Sequence, residues 1–221
     1  MLQPATVKFL QDLKKHNNKE WFDAHRTIYQ NAKEDYTALV QSVITAHGKK
    51  DASIASLGPK DCMFRINRDI RFSKDKSPYK TNFGAGFTRG GKKSLFAGYY
   101  LHIEPGESFV GGGLWMPQPE ELKKIRQEID YNFEAFSKII NKASFKSVFG
   151  TLYAGDDAKL SRAPKGYEED NPAIAYIKLK SYIATTPVSD QELTNKSLLK
   201  KITTAFEALQ PLLQFLNHGL E

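Results

Sequence analysis

Two strand-like runs, residues 96 to 104 and 108 to 115, are separated only by Glu104-Pro105-Gly106-Glu107, and a connection that short can join only antiparallel neighbours. The central Pro-Gly pair suits a tight turn, because proline presets the first corner and glycine accepts the second. Apolar and polar residues also alternate through 62 to 72 and 82 to 89, and SYIATTP at 181 to 187 reads as a further strand. Helical periodicity flanks this block on both sides. The order predicts an α+β fold, a mainly antiparallel sheet of about five strands packed by long N-terminal, central and C-terminal helices.

On the N-terminal side, Phe9, Leu10 and Leu13 make a short amphipathic pattern, and Asn17 with Glu20 resembles a capping box for a helix over 18 to 47. Its apolar stripe is Trp21, His25, Ile28, Ala32, Leu39 and Val43, with Gly48 as the stop. After the strands, Pro117 and Pro119 with Glu120 and Glu121 open a helix carrying Leu122, Ile125, Ile129, Phe133 and Phe136. Residues 142 to 170 read as a short helix plus turns at Gly155-Asp156-Asp157 and Ala163 to Tyr167. Asn171-Pro172 starts a short helix, and Ser189 with Glu192 forms a second capping box. The last helix presents Leu199, Ile202, Phe206, Leu209 and Leu213, and Pro211 is expected to kink it. No repeat, low-complexity tract or linker interrupts the chain, so one domain over residues 1–221 is the economical expectation.

Composition removes several function classes. With one cysteine, Cys62, neither an intrachain disulfide nor a zinc finger can form, and a reducing compartment fits better than secretion. No apolar run approaches the ~18 residues of a membrane span, and the N-terminus lacks the pattern of a signal peptide. A cytoplasmic protein without a membrane partner is expected.

The net charge of +7 is not spread evenly. Residues 61 to 93 hold nine Lys/Arg (Arg65, Arg68, Arg71, Lys74, Lys76, Lys80, Arg89, Lys92, Lys93) against only Asp61, Asp69 and Asp75. Such a field concentrates anions, whether phosphate esters, carboxylates or a nucleic-acid backbone, although a charge run can also be a solvated loop. Here the arginines interleave with Phe64, Ile66, Ile70 and Phe72, as in a half-buried strand, and arginine's planar fork suits fixed anion contacts.

If 62 to 72 is one strand, Cys62, Phe64, Ile66, Ile70 and Phe72 share a face with Arg68, while Arg65, Asn67, Asp69 and Arg71 share the other. A guanidinium on an apolar face is costly unless paired. Either Asn67-Arg68-Asp69 bulges and turns Arg68 outward, or a carboxylate holds it, with Asp69 its natural local partner, or it meets an anionic ligand. Asp69 could equally act as a general base. The turn Ser77-Pro78-Tyr79 would fold Lys74, Lys76 and Lys80 back toward the arginines.

Other motifs fail on inspection. A P-loop fits Gly86 through Lys92, but Lys93 stands where a hydroxyl must meet magnesium, and strand-like sequence follows where a helix is needed. The dinucleotide pattern fails because Arg89 replaces its third glycine. Residues 89 to 94 therefore read as a polar hairpin loop. His102 and Glu104 form H-x-E, but a zinc deaminase also needs two further cysteines. On a strand, the period of two puts Tyr100, His102 and Glu104 on one face, where they are either a satisfied polar row or an acid–base group. His25, on an apolar helix stripe, is read as a packing residue. Gly111, Gly112 and Gly113 suggest a bulge or the close approach of a backbone or ligand.

Four segments, HNNKEWFDAHRTIY (16–29), FRINRDIRFSKDKSPYKTNFGAGF (64–87), AGYYLHIEPGESFVGGGLWMPQPEELKKIRQEI (97–129) and LSRAPKGY (160–167), resemble the family catalogued as domain of unknown function 2461. They cover nearly the whole chain in the family's order. The resemblance implies a single α+β domain and supplies no substrate, cofactor or catalytic residue. One departure is Asn171 before Pro172, where the family pattern leads us to expect histidine.

Three functions follow from the residues. The first is an anion-binding pocket for a phosphate- or carboxylate-bearing small molecule, in which Arg65, Arg68, Arg71 and Lys74 hold the anion and Lys80 and Arg162 close the site. Asp69, Tyr100, His102 and Glu104 are its candidate proton-moving, catalytic groups; no metal site is expected and no cofactor is named. The second is a nucleic-acid binding module with Tyr79, Phe83, Phe87 and Tyr99 as stacking faces. The third is an interaction scaffold whose arginines are paired with protein carboxylates.

Overall fold

The computed structural model describes residues 1–155 and 158–221, so the expected turn at Gly155-Asp156-Asp157 lies partly outside the described residues. The described residues form ten α-helices and four strands: α1 (Pro4–Lys15), α2 (Lys19–Ala24), α3 (Arg26–His47), α4 (Pro59–Cys62), β1 (Phe83–Phe87), β2 (Gly98–Ile103), β3 (Phe109–Leu114), α5 (Pro119–Tyr131), α6 (Phe133–Asn141), α7 (Ala143–Phe149), α8 (Ile174–Ile177), β4 (Tyr182–Pro187), α9 (Asp190–Leu193) and α10 (Leu198–Leu220). The fold is α+β. The antiparallel sheet has four strands in chain order, not about five.

The chain divides into two compact units, one of Met1–Lys93, Tyr100–Val110 and Pro187–Thr204, the other of Ser94–Tyr99, Gly111–Thr186 and Ala205–Glu221. Each draws on three separate stretches, so no single linker separates them in the sequence.

In the first unit, α1 and α2 pack on α3, and α3 and α4 pack on β1. Pro4 suits the first turn of α1, and Lys14 and Lys15 complement the negative end of its dipole. The predicted helix over 18 to 47 is broken at His25. Its backbone N–H reaches the Trp21 and Phe22 carbonyls, its Nδ1 donates to the Trp21 carbonyl at 2.7 Å, and its ring stacks on Trp21 at 4.1 Å. The cap is Asn18, which accepts from Trp21 N–H at 2.9 Å, rather than Asn17. The break rotates the buried stripe of α3 to Ala32, Tyr36, Leu39, Val40, Val43 and Ile44, leaving Ile28 47% exposed. Phe9 sits at the centre of a ring cluster with Trp21, Phe22, Tyr29 and Phe83. Each fully buried side chain of this size contributes about 1.5–3 kcal/mol.

The expected strand over 62 to 72 is not formed. Residues 63 to 68 run antiparallel beside 78 to 85 and meet them at two isolated bridges, Met63 with Ala85 and Asn67 with Tyr79. Residues 69 to 77 then leave the pairing, because their polar groups find local partners: Lys76 reaches the Ile70 carbonyl at 3.0 Å, and Asp75 accepts from Ser77 N–H at 2.9 Å. Cys62 and Ile66 are buried as the alternation predicts, but Phe64 is 39% exposed and Phe72 95% exposed.

The Pro105-Gly106 turn forms as expected, with Glu107 N–H donating to the Glu104 carbonyl at 2.8 Å. Asp190, in the first turn of α9 behind the Ser189–Glu192 capping box, accepts from Gly106 N–H at 2.8 Å.

In the second unit, α5 packs on α6 and α8, and α6 on α7. The predicted central helix is two helices, α5 and α6, meeting at Asn132. The final helix passes through Pro211 as one element. The three glycines of β3 have a backbone explanation. A Cβ on Gly111 would stand 2.1 Å from the Ala184 carbonyl oxygen, and one on Gly113, where φ is +126°, would stand 1.9 Å from that of Tyr182. The neighbouring strands fill the space that side chains or a ligand would need.

Two outcomes follow. Gly113→Ala must displace a strand and adopt an unfavourable φ, so it should cost at least ~3 kcal/mol in urea unfolding. Burial, followed by the neighbouring Asp61, pushes the Cys62 thiol up to about 12, so the folded protein should resist thiol reagents at neutral pH and react only once denatured.

Candidate functional site

From Met63 to Asn67 is four residue steps, whereas from Tyr79 to Ala85 is six. The two surplus residues cannot lie flat in the pairing. The chain bends at Thr81 and Asn82, and Lys80, Thr81 and Asn82 line a cavity of about 330 Å³ together with Lys14, Asn17, Arg68, Asp75, Ser77 and Tyr79. All nine residues belong to the first unit.

Asn17 fixes one wall. Its amide donates to the Tyr79 carbonyl at 2.9 Å and its carbonyl accepts from Tyr79 N–H at 3.1 Å, a two-point pairing that copies a strand partner. The Tyr79 ring stacks on Phe22 at 3.9 Å. Lys80 N–H donates to the Ile66 carbonyl at 2.7 Å and Arg68 N–H to that of Pro78 at 3.0 Å, which sets both cations beside the opening.

The cavity holds Lys14, Arg68 and Lys80 against one carboxylate, Asp75. Arg68 is held by Asp75, not by Asp69: Nη1 donates to Asp75 Oδ2, and Nη2 reaches Ser73 Oγ at 3.3 Å. Hydrogen bonds from the Ser77 hydroxyl and N–H, reinforced by Arg68, keep the Asp75 carboxyl well below the usual carboxylate range. Lys14 lies 3.2 Å from Glu107 and 3.7 Å from Glu104, and hydrogen bonding to Glu107 raises its pKa.

Behind Thr81 stands a row of ionisable groups. The Thr81 hydroxyl donates to Glu104 Oε1 at 2.6 Å; His102 Nε2 lies 3.1 Å from Glu104 Oε2, and Tyr100 Oη 3.2 Å from His102 Nδ1. A carboxylate only accepts, so Nε2 carries a proton and donates it to Glu104. Phe109 stacks on the imidazole at 4.8 Å. Tyr100 reaches its position because Gly84 is opposite: a Cβ there would stand 2.7 Å from Oη. Burial, reinforced by Glu104, raises the Tyr100 pKa. For Glu104, burial pushes upward, but Thr81, His102 and Lys14 together outweigh it and the carboxyl lies below its ordinary value.

The remaining predicted residues stand elsewhere. Arg71 makes a two-point contact with Asp69 at 2.9 and 2.7 Å; both are exposed, and this pairing lowers the Asp69 pKa. Arg65 and Lys74 are exposed outside the cavity lining, and Arg162 is exposed in the second unit. Tyr79, Phe83, Phe87 and Tyr99 are all buried and present no stacking face. Asn171, at the expected histidine position, donates to Asp130 at 2.6 Å and accepts from Ala173 N–H at 2.8 Å; it is not the cap expected of it, because α8 begins at Ile174 with Ala173 before it. Lys14, Asn17, Thr81 and Asn82 were not singled out as site residues. The paired Asn17-Asn18 was the available signal, since only one of two adjacent asparagines can cap α2.

The lowered Glu104 pKa gives a sign to acid behaviour. A carboxyl depressed on folding adds stability above its unfolded value, about 4.3, and loses it as pH falls through the lower folded value. Glu104→Gln should therefore flatten the loss of stability below that pH, measured by urea unfolding across an acid series.

Among the described residues no helix is long and apolar enough to cross a membrane, and no group of three or more His, Cys, Asp or Glu side chains is placed to hold a metal ion. No curated protein and no solved structure matches the chain. The family model described as "Conserved hypothetical protein (DUF2461)" matches residues 5–215, from α1 to within the last helix and including every residue of the cavity, and the chain belongs to that family.

Proposed function

We propose that the cavity of the first unit binds the phosphate or carboxylate group of a small molecule. The observation that carries this reading is the convergence of Lys14, Arg68 and Lys80 on one polar cavity of about 330 Å³ with a single carboxylate among them. That volume is at the lower end of small-molecule sites, ~300–1,000 Å³, and suits a compact metabolite. Asp75 and Ser73 use only part of the Arg68 fork, so the remaining N–H donors are available to an anion. Asn17, Ser77, Thr81 and Asn82 supply neutral hydrogen-bonding groups that would orient the rest of the ligand. Glu104, His102 and Tyr100 stand behind Thr81 as the groups that would move a proton in a reaction there.

The pairing of Arg68 with Asp75 and of Arg71 with Asp69, and the Lys80 ammonium group 5.6 Å from the centre of the Phe64 ring, are also what a structural role predicts, and anion binding distinguishes the two readings. A nucleic-acid partner would have to use the exposed Arg65, Arg71, Lys74 and Phe72 without the four buried rings.

Calorimetry and thermal unfolding with inorganic phosphate, sulfate and small carboxylates test the proposal. Binding should appear in the wild type and weaken about tenfold or more in Arg68→Ala and Lys14→Ala. No response to any of these anions, together with a salt-sensitive gel shift of a single-stranded oligonucleotide, would favour the polymer partner instead.

A further inference from the structure

The cavity and the ionisable row meet at one residue, Thr81. It lines the cavity, and its hydroxyl donates to Glu104 Oε1 at 2.6 Å. With the hydrogen aimed at the carboxylate, the lone pairs of the hydroxyl oxygen are directed away from it. Glu104 is only 9% exposed, and His102 Nε2 donates to its other oxygen at 3.1 Å, so the carboxylate is held on both sides. A hydroxyl bonded to a base, with that base held by a third group, is the arrangement of an activated nucleophile. Lys14, Arg68 and Lys80 line the same cavity, and Lys14 Nζ lies 3.7 Å from Glu104 Oε1.

The electrophile follows from the charge. An anionic group drawn in by three cations shares the cavity with the hydroxyl. A carboxylate carbon, resonance-stabilised and negatively charged, resists attack by oxygen. The phosphorus of a phosphate ester or acyl phosphate accepts it, because a leaving group can depart. Phosphoryl transfer asks for positioning and positive charge more than for a strong base, since its transition state is loose. A carboxylate whose pKa lies below the ordinary value is adequate for that step.

We infer that the Thr81 hydroxyl accepts a phosphoryl group from a small phosphate ester or acyl phosphate, with Glu104 taking its proton. The inference rests on the cavity being the anion site proposed above. In the step, Thr81 Oγ1 bonds to phosphorus as its proton passes to Glu104. The bond from phosphorus to the leaving oxygen breaks with its electron pair on that oxygen. An alkoxide so formed takes a proton from the medium, a carboxylate departs as it is, and Glu104 returns its proton to the medium. No oxidant or reductant is needed. Lys14, Arg68 and Lys80 supply positive charge for the oxygens of the transferring group.

Acid quenching tests this. The full chain is incubated separately with acetyl phosphate and with para-nitrophenyl phosphate, quenched at successive times, and mapped by peptide mass spectrometry. With at least one probe, Thr81 should carry phosphate about tenfold more than any other serine or threonine. Excess inorganic phosphate should suppress the label, and Glu104→Gln should slow its appearance about a hundredfold. Thr81→Val should abolish it, whereas Thr81→Ser, which keeps a hydroxyl, should retain it at the same position. Absence of label at Thr81 at every time overturns the inference, whether or not para-nitrophenol is released. Label that inorganic phosphate does not suppress, or that Glu104→Gln forms as fast, overturns it as well. Selectivity and suppression are read on the wild type, so a variant that fails to fold leaves them intact. If inorganic phosphate shifts the unfolding midpoint while Thr81 stays unlabelled, the anion site stands and the nucleophile falls. If phosphate has no effect either, both fall.

Discussion

The first unit is organised around two stretches of chain that pair with unequal lengths. Four residue steps between the bridges at Met63 and Asn67 face six between Tyr79 and Ala85. A hydrogen-bonded ladder fixes the spacing of both partners, so a surplus of two must be expelled sideways. The expelled residues are those that bend at Thr81 and Asn82, and the hollow they leave is the cavity. The arrangement holds because Asn17 braces it from the helical side with two hydrogen bonds to Tyr79. A half-buried amide that satisfies both a donor and an acceptor of the backbone is costly to lose, since a group left unpaired away from water costs up to about 1–3 kcal/mol. Lys14, on the last turn of α1, enters the cavity from the same helical layer.

The electrostatics follow from that geometry. Two of the nine basic residues of the segment are matched by local carboxylates: Arg71 by Asp69, and Arg68 by an Asp75 that Ser77 keeps ionised. Surface pairs such as Arg71–Asp69 are worth little in water, but the pair that borders the cavity is more sheltered on its arginine side. Among the cavity's cations, Lys80 is the one whose pKa burial lowers, and its ammonium group lies against the Phe64 ring rather than a carboxylate among the described residues.

Much of the fold was legible in the sequence. The Pro105-Gly106 turn, the Ser189–Glu192 capping box and the strand at 182–187 are local signals read by local chemistry. The same is true of the polar row, since a period of two on β2 was enough to place Tyr100, His102 and Glu104 together. What was not legible depended on partners distant in the chain. Alternation in 62 to 72 predicts a strand but cannot reveal that residues 69 to 77 have better local partners. The charge of Arg68 marked it as needing a carboxylate, yet Asp69 was nearer in sequence and Asp75 nearer in space. Lys14 and Thr81 carry no local signal of a site, because their roles exist only once α1 and the bend at 81–82 meet.

The alternation of β2 has a further consequence. Tyr99, Leu101 and Ile103 are buried on one face, while Tyr100, His102 and Glu104 share the other. One strand thus carries the packing and the ionisable row in strict interleave, and the Pro105-Gly106 turn at its end clamps the phase between them. Inserting or deleting a single residue between Gly98 and Pro105 would exchange the two sets, putting a carboxylate and an imidazole among the packed apolar side chains and an apolar row where the ionisable groups now stand. The strand can therefore drift by substitution but not by change of length, and any variant that keeps the core in register also keeps the phenol, imidazole and carboxylate in line.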